Sequence, residues 1–208
     1  DYVEAFRGGE SAYDLMPFYR YFWVFNYILF DESPWIIFFA LVFLPLVLFS
    51  IMKNLLGKSW SIFLIFCWYL FPLFEAFGFL HFYYVKLAMR GFAEPLSNLF
   101  FFSSLALIIN IYKMNKSVIT KEKISYFFIG LMLSLALGLR ANILPAFLIL
   151  VIYIFLVLIK AKKYESILYL GLGLTPCLVM PLHNFYFTKK FIPLTIAAYK
   201  DWNLGARP

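Results

Sequence analysis

The stretch ISYFFIGLMLSLALGLRANILPAFLILVIYIFLVLI, residues 124–159, decides the fold of this 208-residue chain. It contains two apolar runs that are separated by Arg140, with the lysine-rich segment KEK directly before it and KAKK directly after it. A helix that crosses a bilayer needs ~20 largely apolar residues, so each run predicts a membrane helix. Because lysine flanks the stretch on both sides, we expect the chain to cross the membrane, turn at Arg140 and return.

The same pattern extends outward along the chain, where apolar runs are separated alternately by lysine-rich and lysine-poor gaps. The six predicted membrane helices are Pro34–Met52, Ser59–Leu80, Pro95–Tyr112, Ile124–Leu139, Ala141–Ile159 and Ile167–Leu182. The lysine-rich gaps contain Lys53 and Lys58, then Lys113, Lys116, Lys121 and Lys123, then Lys160, Lys162 and Lys163. Short loops rich in lysine and arginine stay in the cytoplasm, so the remaining gaps are predicted to face outward together.

Composition favours the same class of protein, an all-α bundle of transmembrane helices. Hydrophobic residues make up 64% of the chain, charged residues only 14%, and the mean hydropathy is +0.84, which is outside the range of ordinary soluble domains. The net charge of +7 falls entirely in the lysine-rich gaps, because the rest of the chain carries nine basic and nine acidic residues. This distribution indicates membrane topology and contact with lipid, and it argues against nucleic acid as a partner.

Cysteine and the chain start give two further expectations. Cys67 and Cys177 lie inside apolar runs, with no other cysteine or histidine at metal-ligand spacing, so we expect neither a disulfide nor a zinc site. The sequence opens on Asp1 without a methionine or a signal sequence, so we expect an internal piece of a longer protein.

Three segments are predicted from these patterns. Residues 1–33 form a non-cytoplasmic loop with a juxtamembrane helix, residues 34–182 form the helix bundle, and residues 183–208 lead outward to a missing remainder. The run Leu15–Phe30 is assigned to an interfacial helix because Arg20 and Asn26 interrupt it. A seventh membrane span is the alternative for this run.

Charged and polar residues at the predicted outer side are candidates for chemistry, since charges near the hydrocarbon layer tend to face a cavity or a partner. Arg140 stands alone in a tight turn, and its guanidinium can bind two phosphate oxygens at once. Simpler roles stay open for each candidate. Arg140 could be an interfacial anchor, Lys86 and Arg90 could extend to lipid headgroups, Glu94 could be a helix-start acid and His183 an interfacial histidine.

Four segments resemble the GT-C-type polytopic glycosyltransferases, the superfamily of protein mannosyltransferases and aminoarabinose transferases. Residues 124–159 resemble its core signature of a glycine-spaced apolar helix, an arginine and a proline-containing apolar helix. The other three are RGFAEPLSNLFFFSSLALIINIYK at 90–113, PLHNFYFTKKFIPLT at 181–195 and LMPFYRYFWVFNYILFDES at 15–33. The chain differs from the family where Ala141 follows the arginine instead of proline, and where His183 precedes Asn184 instead of arginine.

The resemblance implies an enzyme that transfers a hexosyl or pentosyl group from a polyprenyl- or dolichyl-phosphate donor at the non-cytoplasmic face, here that of a bacterial inner membrane. The residues implied to bind the donor phosphate are Arg140, Arg90 and Lys86. Those implied to orient them or to contact the acceptor are Glu94, His183 and Asn184.

The resemblance also implies a catalytic carboxylate in the first outer loop. The candidates in this chain are Asp1, Glu10 and Asp14, while the family's leading acid is expected upstream of residue 1. The cofactor is left open, with a divalent metal among the options, and so are further membrane subunits.

Other classes of protein stay open beside this one. An oligosaccharide polymerase or ligase would also use arginines at the outer face, and a non-catalytic membrane subunit could keep the helical fold without the acid. A transporter would ordinarily need broken helices and polar residues at the membrane midplane, of which these runs offer few.

Overall fold

A computed structural model describes residues 17–70, 85, 93–113, 119–189 and 191, and throughout these residues the regular structure is helical. The α-helices are α1 Pro17–Phe30, α2 Trp35–Leu56, α3 Lys58–Leu70, α4 Glu94–Lys113, α5 Ile119–Leu139, α6 Leu144–Lys160, α7 Tyr164–Leu174 and α8 Val179–Thr188. Short 3₁₀ turns at Ala141–Ile143 and Thr175–Leu178 precede α6 and α8. The predicted all-α class is confirmed for the described part of the chain.

Five helical segments are long and apolar enough to cross a membrane. They are Trp35–Leu56, Glu94–Lys113, Glu122–Leu139, Ala141–Lys160 and Tyr164–His183. They correspond to five of the six predicted runs. For the remaining run, Ser59–Leu80, the structure describes only α3, whose 13 residues end at Leu70. The sixth span therefore stays a prediction.

Side-chain contacts define the directions of the helices. α4 and α5 are antiparallel, since Ser97 Oγ near the start of α4 donates to the Ala136 carbonyl near the end of α5 at 2.8 Å. α2 and α4 are parallel, since their final turns meet where Asn54 Nδ2 donates to Asn110 Oδ1 at 3.0 Å. Their early turns also share one apolar cluster, which includes Ala40 and Leu96.

These directions sort the charges into two groups at opposite ends of the bundle. The lysine end is defined by Lys53, Lys113, Lys123, Lys160, Lys162 and Lys163, which lie where α2, α4 and α6 finish and where α5 and α7 begin. The arginine end is defined by Glu94 and Arg140, which lie where α4 begins and α5 finishes. The alternation seen in the sequence thus corresponds to a separation in space.

The central helix is α5, which packs closely on α7 through glycine. Half of its span is buried inside the protein, against 17% of the span that contains α6. A Cβ placed on Gly173 would lie 2.1 Å from the Phe127 carbonyl oxygen, and one on Gly130 would lie 2.5 Å from the Leu170 carbonyl oxygen. The two backbones are therefore in direct contact, as small residues allow between membrane helices.

α6 lies at the periphery of the bundle. Its exposed large hydrophobic side chains are Leu148, Ile149, Ile152, Tyr153, Phe155, Leu156 and Ile159. A helix that is long and apolar enough to cross a membrane and has such a surface is suited to contact with lipid chains.

α1 packs against the arginine end and is joined to α2 by a buried asparagine. Asn26 Nδ2 donates to the Ser33 carbonyl at 2.9 Å, and Asn26 Oδ1 accepts from the Ile36 backbone N–H at 3.2 Å. The side chain therefore satisfies one of the first N–H groups of α2, which have no partner within the helix. Asn26 has a structural role and is not by itself a sign of an interfacial helix. With 14 residues, α1 is shorter than a usual span, and its interfacial position stays a prediction.

Candidate functional site

The site is centred on an ion pair between Arg140 and Glu94. The guanidinium Nη1 of Arg140 contacts Oε1 of Glu94, and the two side chains are 30% and 22% exposed. The antiparallel packing of α4 and α5 brings these residues together, because Glu94 begins α4 and Arg140 directly follows the end of α5. Both charges are partly removed from water, so their attraction is less screened than that of a fully exposed pair.

The backbone geometry shows that Arg140 lies where helix α5 ends. Its backbone N–H still reaches the Ala136 carbonyl at 3.1 Å, but its φ of −153° and ψ of 110° are extended, and a 3₁₀ turn follows. The chain therefore leaves α5 at Arg140 and turns into α6. This geometry confirms the predicted turn between two helices.

Glu94 is held by its own helix as well as by Arg140. It is the first residue of α4 and precedes Pro95, whose missing N–H costs nothing at this position. A carboxylate in the first turn also interacts favourably with the helix dipole. One turn further on, the buried Ser97 binds the Ala136 carbonyl and fixes the register of α4 against α5. The helix-start role and the orienting role of Glu94 are therefore compatible.

Ser97 was not singled out from the sequence. The sequence feature that could have identified Ser97 is its position three residues after Glu94, which places it on the same face of α4. Many serines in apolar helices bind their own helix instead, as Ser104 does with the Phe101 carbonyl.

A second polar contact at this end joins α1 to α8. The Tyr21 hydroxyl and His183 Nδ1 are 2.5 Å apart, and their rings meet edge to face with centroids 5.5 Å apart. Burial raises the pKa of Tyr21 above its ordinary value of 10.0, so the phenol stays protonated in this contact with His183 Nδ1. Tyr21 was missed because nothing distinguishes it from the other tyrosines of this aromatic-rich chain.

The structure leaves several predicted site residues untested. Asp1, Glu10, Asp14, Lys86 and Arg90 lie outside the described residues, and of Asn184 only the backbone within α8 is described. In the described part of the chain, no three His, Cys, Asp or Glu side chains are grouped as metal ligands. The catalytic carboxylate, the second phosphate-binding cation and the cofactor stay predictions.

The lysine end contains a different kind of cluster. Lys163 pairs with Glu122 and Lys123 pairs with Glu165, which ties the start of α5 to the start of α7. Each acid lies in the first helical turn, where it also complements the helix dipole. These charges have partners across two packed helices, so a structural role accounts for them.

Comparisons of the chain with protein-family models, with curated proteins and with solved structures found no match. The function must therefore be inferred from the residues and their geometry.

Proposed function

We propose that the protein is a membrane glycosyltransferase that moves a sugar from a polyprenyl-phosphate donor to an acceptor at the non-cytoplasmic face of the bacterial inner membrane. The observation that carries this proposal is the partly buried Arg140–Glu94 pair at the arginine end. An arginine at the end of a spanning helix lies near the headgroup plane, which is where a lipid phosphate carries its charge.

The helix directions support a bundle of six crossings. Since α2 and α4 are parallel, the chain must return between Leu56 and Glu94 from the lysine end to the arginine end. α3 begins at the lysine end and supplies the first part of this return. With the lysines in the cytoplasm, Arg140, Glu94 and His183 face the opposite side, where lipid-linked sugars are used.

In the proposed reaction, an acceptor hydroxyl attacks the anomeric carbon of the sugar and the bond from that carbon to the phosphate oxygen breaks. The electron pair leaves with the phosphate, and the guanidinium of Arg140 stabilises the resulting charge through two N–H donors. Glu94 holds the plane of the guanidinium. A carboxylate accepts the proton of the hydroxyl, with Asp1, Glu10 and Asp14 as its proposed sources in this chain.

Binding of polyprenyl phosphate without a sugar tests the role of Arg140 separately from catalysis. Arg140→Lys keeps the charge but loses the planar two-donor geometry, so we expect affinity to fall about tenfold, the equivalent of ~1.4 kcal/mol. Glu94→Gln should bind with similar affinity, because the glutamine keeps an oxygen that can accept from Arg140 Nη1 and hold the guanidinium. Equal affinity of wild type and Arg140→Lys would instead indicate an anchoring arginine, since lysine also extends to headgroups.

A further inference from the structure

A groove of about 650 Å³ runs along α8 on the side that faces α1. Its lining residues are Tyr21, Val179, Leu182, His183, Phe185, Tyr186 and Lys189. The volume falls within the ~300–1,000 Å³ of typical small-molecule sites, which are also mostly apolar with a few placed polar groups. The groove begins in the spanning segment Tyr164–His183 and continues past its end, so it passes from the apolar layer toward the surface.

Among the described residues that line the groove, Lys189 carries the formal charge, His183 contributes an imidazole and none is a carboxylate. Lys189 Nζ lies 5.2 Å from the centroid of the Tyr186 ring, a cation–π contact that keeps the ammonium at the rim. Lys189 ends α8 in the left-handed conformation, with a φ of +58°, and this turns the chain at the rim.

The part of the lining that α8 contributes before Lys189 is mainly apolar. Val179, Leu182 and Phe185 are exposed apolar side chains on consecutive turns of α8. A cation at the rim above an apolar strip matches an amphiphile with an anionic head and a hydrocarbon chain. In a bilayer, phospholipids are the abundant molecules of this kind.

We propose that this groove binds one anionic phospholipid of the surrounding bilayer, with the lipid phosphate at Lys189 and an acyl chain along Val179, Leu182 and Phe185. The Tyr21–His183 hydrogen bond forms the back of the site and joins α1 to α8 there. A bound lipid would therefore stabilise the attachment of α1 to the bundle. This inference does not depend on the proposed transferase activity.

The test measures lipid retention by the full chain purified in detergent, using native mass spectrometry with added phosphatidylglycerol or phosphatidylcholine. Lys189→Gln removes the cation, and Lys162→Gln is the matched control, because Lys162 is also left-handed, with a φ of +55°, and lies at the opposite end. Because Lys189 and a lipid phosphate would form an exposed ion pair, we expect Lys189→Gln to weaken phosphatidylglycerol binding by up to about fivefold relative to Lys162→Gln.

A second pair of variants tests the apolar wall. Leu182→Trp should fill the groove and reduce retention, whereas Leu168→Trp on α7 is a control with nearly equal exposure, 64% for Leu182 and 62% for Leu168. The site is supported if the protein retains phosphatidylglycerol better than phosphatidylcholine, and if Lys189→Gln and Leu182→Trp reduce this retention while the two control variants do not. Equal retention of both lipids, or equal effects of the paired variants, would overturn it. Retention of polyprenyl phosphate but not phosphatidylglycerol would also overturn it and assign the groove to the donor lipid.

Discussion

The contact between α5 and α7 makes a sharp prediction about two neighbouring glycines. Gly171 and Gly173 both lie on α7, but a Cβ on Gly171 would meet nothing within 4 Å, whereas a Cβ on Gly173 would lie 2.1 Å from the Phe127 carbonyl oxygen and 2.9 Å from the Leu131 nitrogen. Both atoms of α5 belong to the backbone. They can move only if the two helices separate.

The expected difference in stability follows from comparing the Gly171→Ala and Gly173→Ala variants. Each gains up to ~1 kcal/mol of helix propensity, so this gain cancels in the comparison. Overpacking a close contact costs ~1–3 kcal/mol, which should appear for Gly173→Ala alone. We therefore expect Gly173→Ala to be about 1–3 kcal/mol less stable than Gly171→Ala, near the upper value because backbone cannot rotate away.

The assay is equilibrium unfolding of the purified variants in mixed detergent micelles, monitored by loss of helical circular dichroism. Gly138→Ala gives an intermediate case, because its Cβ would lie 2.6 Å from the Phe18 ring, which is a side chain that can move. Equal stabilities of the Gly171→Ala and Gly173→Ala variants would refute direct backbone contact between α5 and α7.

Three other predictions concern topology, the join between α1 and α2, and the lysine end. In intact cells expressing a chain without its native cysteines, an impermeant thiol reagent should label Arg90→Cys and spare Lys121→Cys; the reverse pattern would invert the orientation. Asn26→Ala leaves the Ser33 carbonyl and the Ile36 N–H without their side-chain partner and should cost ~1–3 kcal/mol of stability in the micelle unfolding assay, so an unchanged stability would exclude this role. A double-mutant cycle on Glu122 and Lys163 should give a coupling of only ~0.2–1 kcal/mol, because the pair is partly exposed, and a much larger coupling would mean that the pair is more deeply desolvated than its exposure indicates.

The alternation of lysine between apolar runs predicted much of the fold, because the cost of burying charge fixes where spanning helices end. It did not predict the true helix lengths. α5 begins at Ile119, before the apolar run that starts at Ile124, since lysine and glutamate are tolerated in the first turn at a membrane surface. Hydropathy also gave no indication of which helix is central, because the surface of α6 is as apolar as a buried helix.

At the site, the resemblance led us to expect Glu94 close to Arg140, and the antiparallel packing of α4 and α5 brings the two into an ion pair. Ser97 and Tyr21 were not predicted. Their roles depend on partners in distant segments, the Ala136 carbonyl and the His183 ring, which no local pattern reveals.

The rate of sugar transfer from polyprenyl-phosphate sugars, measured with purified wild-type and Arg140→Lys protein, tests the central claim most directly. The proposed role of Arg140 predicts transfer by the wild type and a rate at least about tenfold lower for Arg140→Lys, at unchanged stability, because a charge-assisted hydrogen bond to the leaving phosphate contributes ~1.5–3 kcal/mol. Equal rates for the two proteins, or no transfer by the wild type from any donor tested, would contradict it.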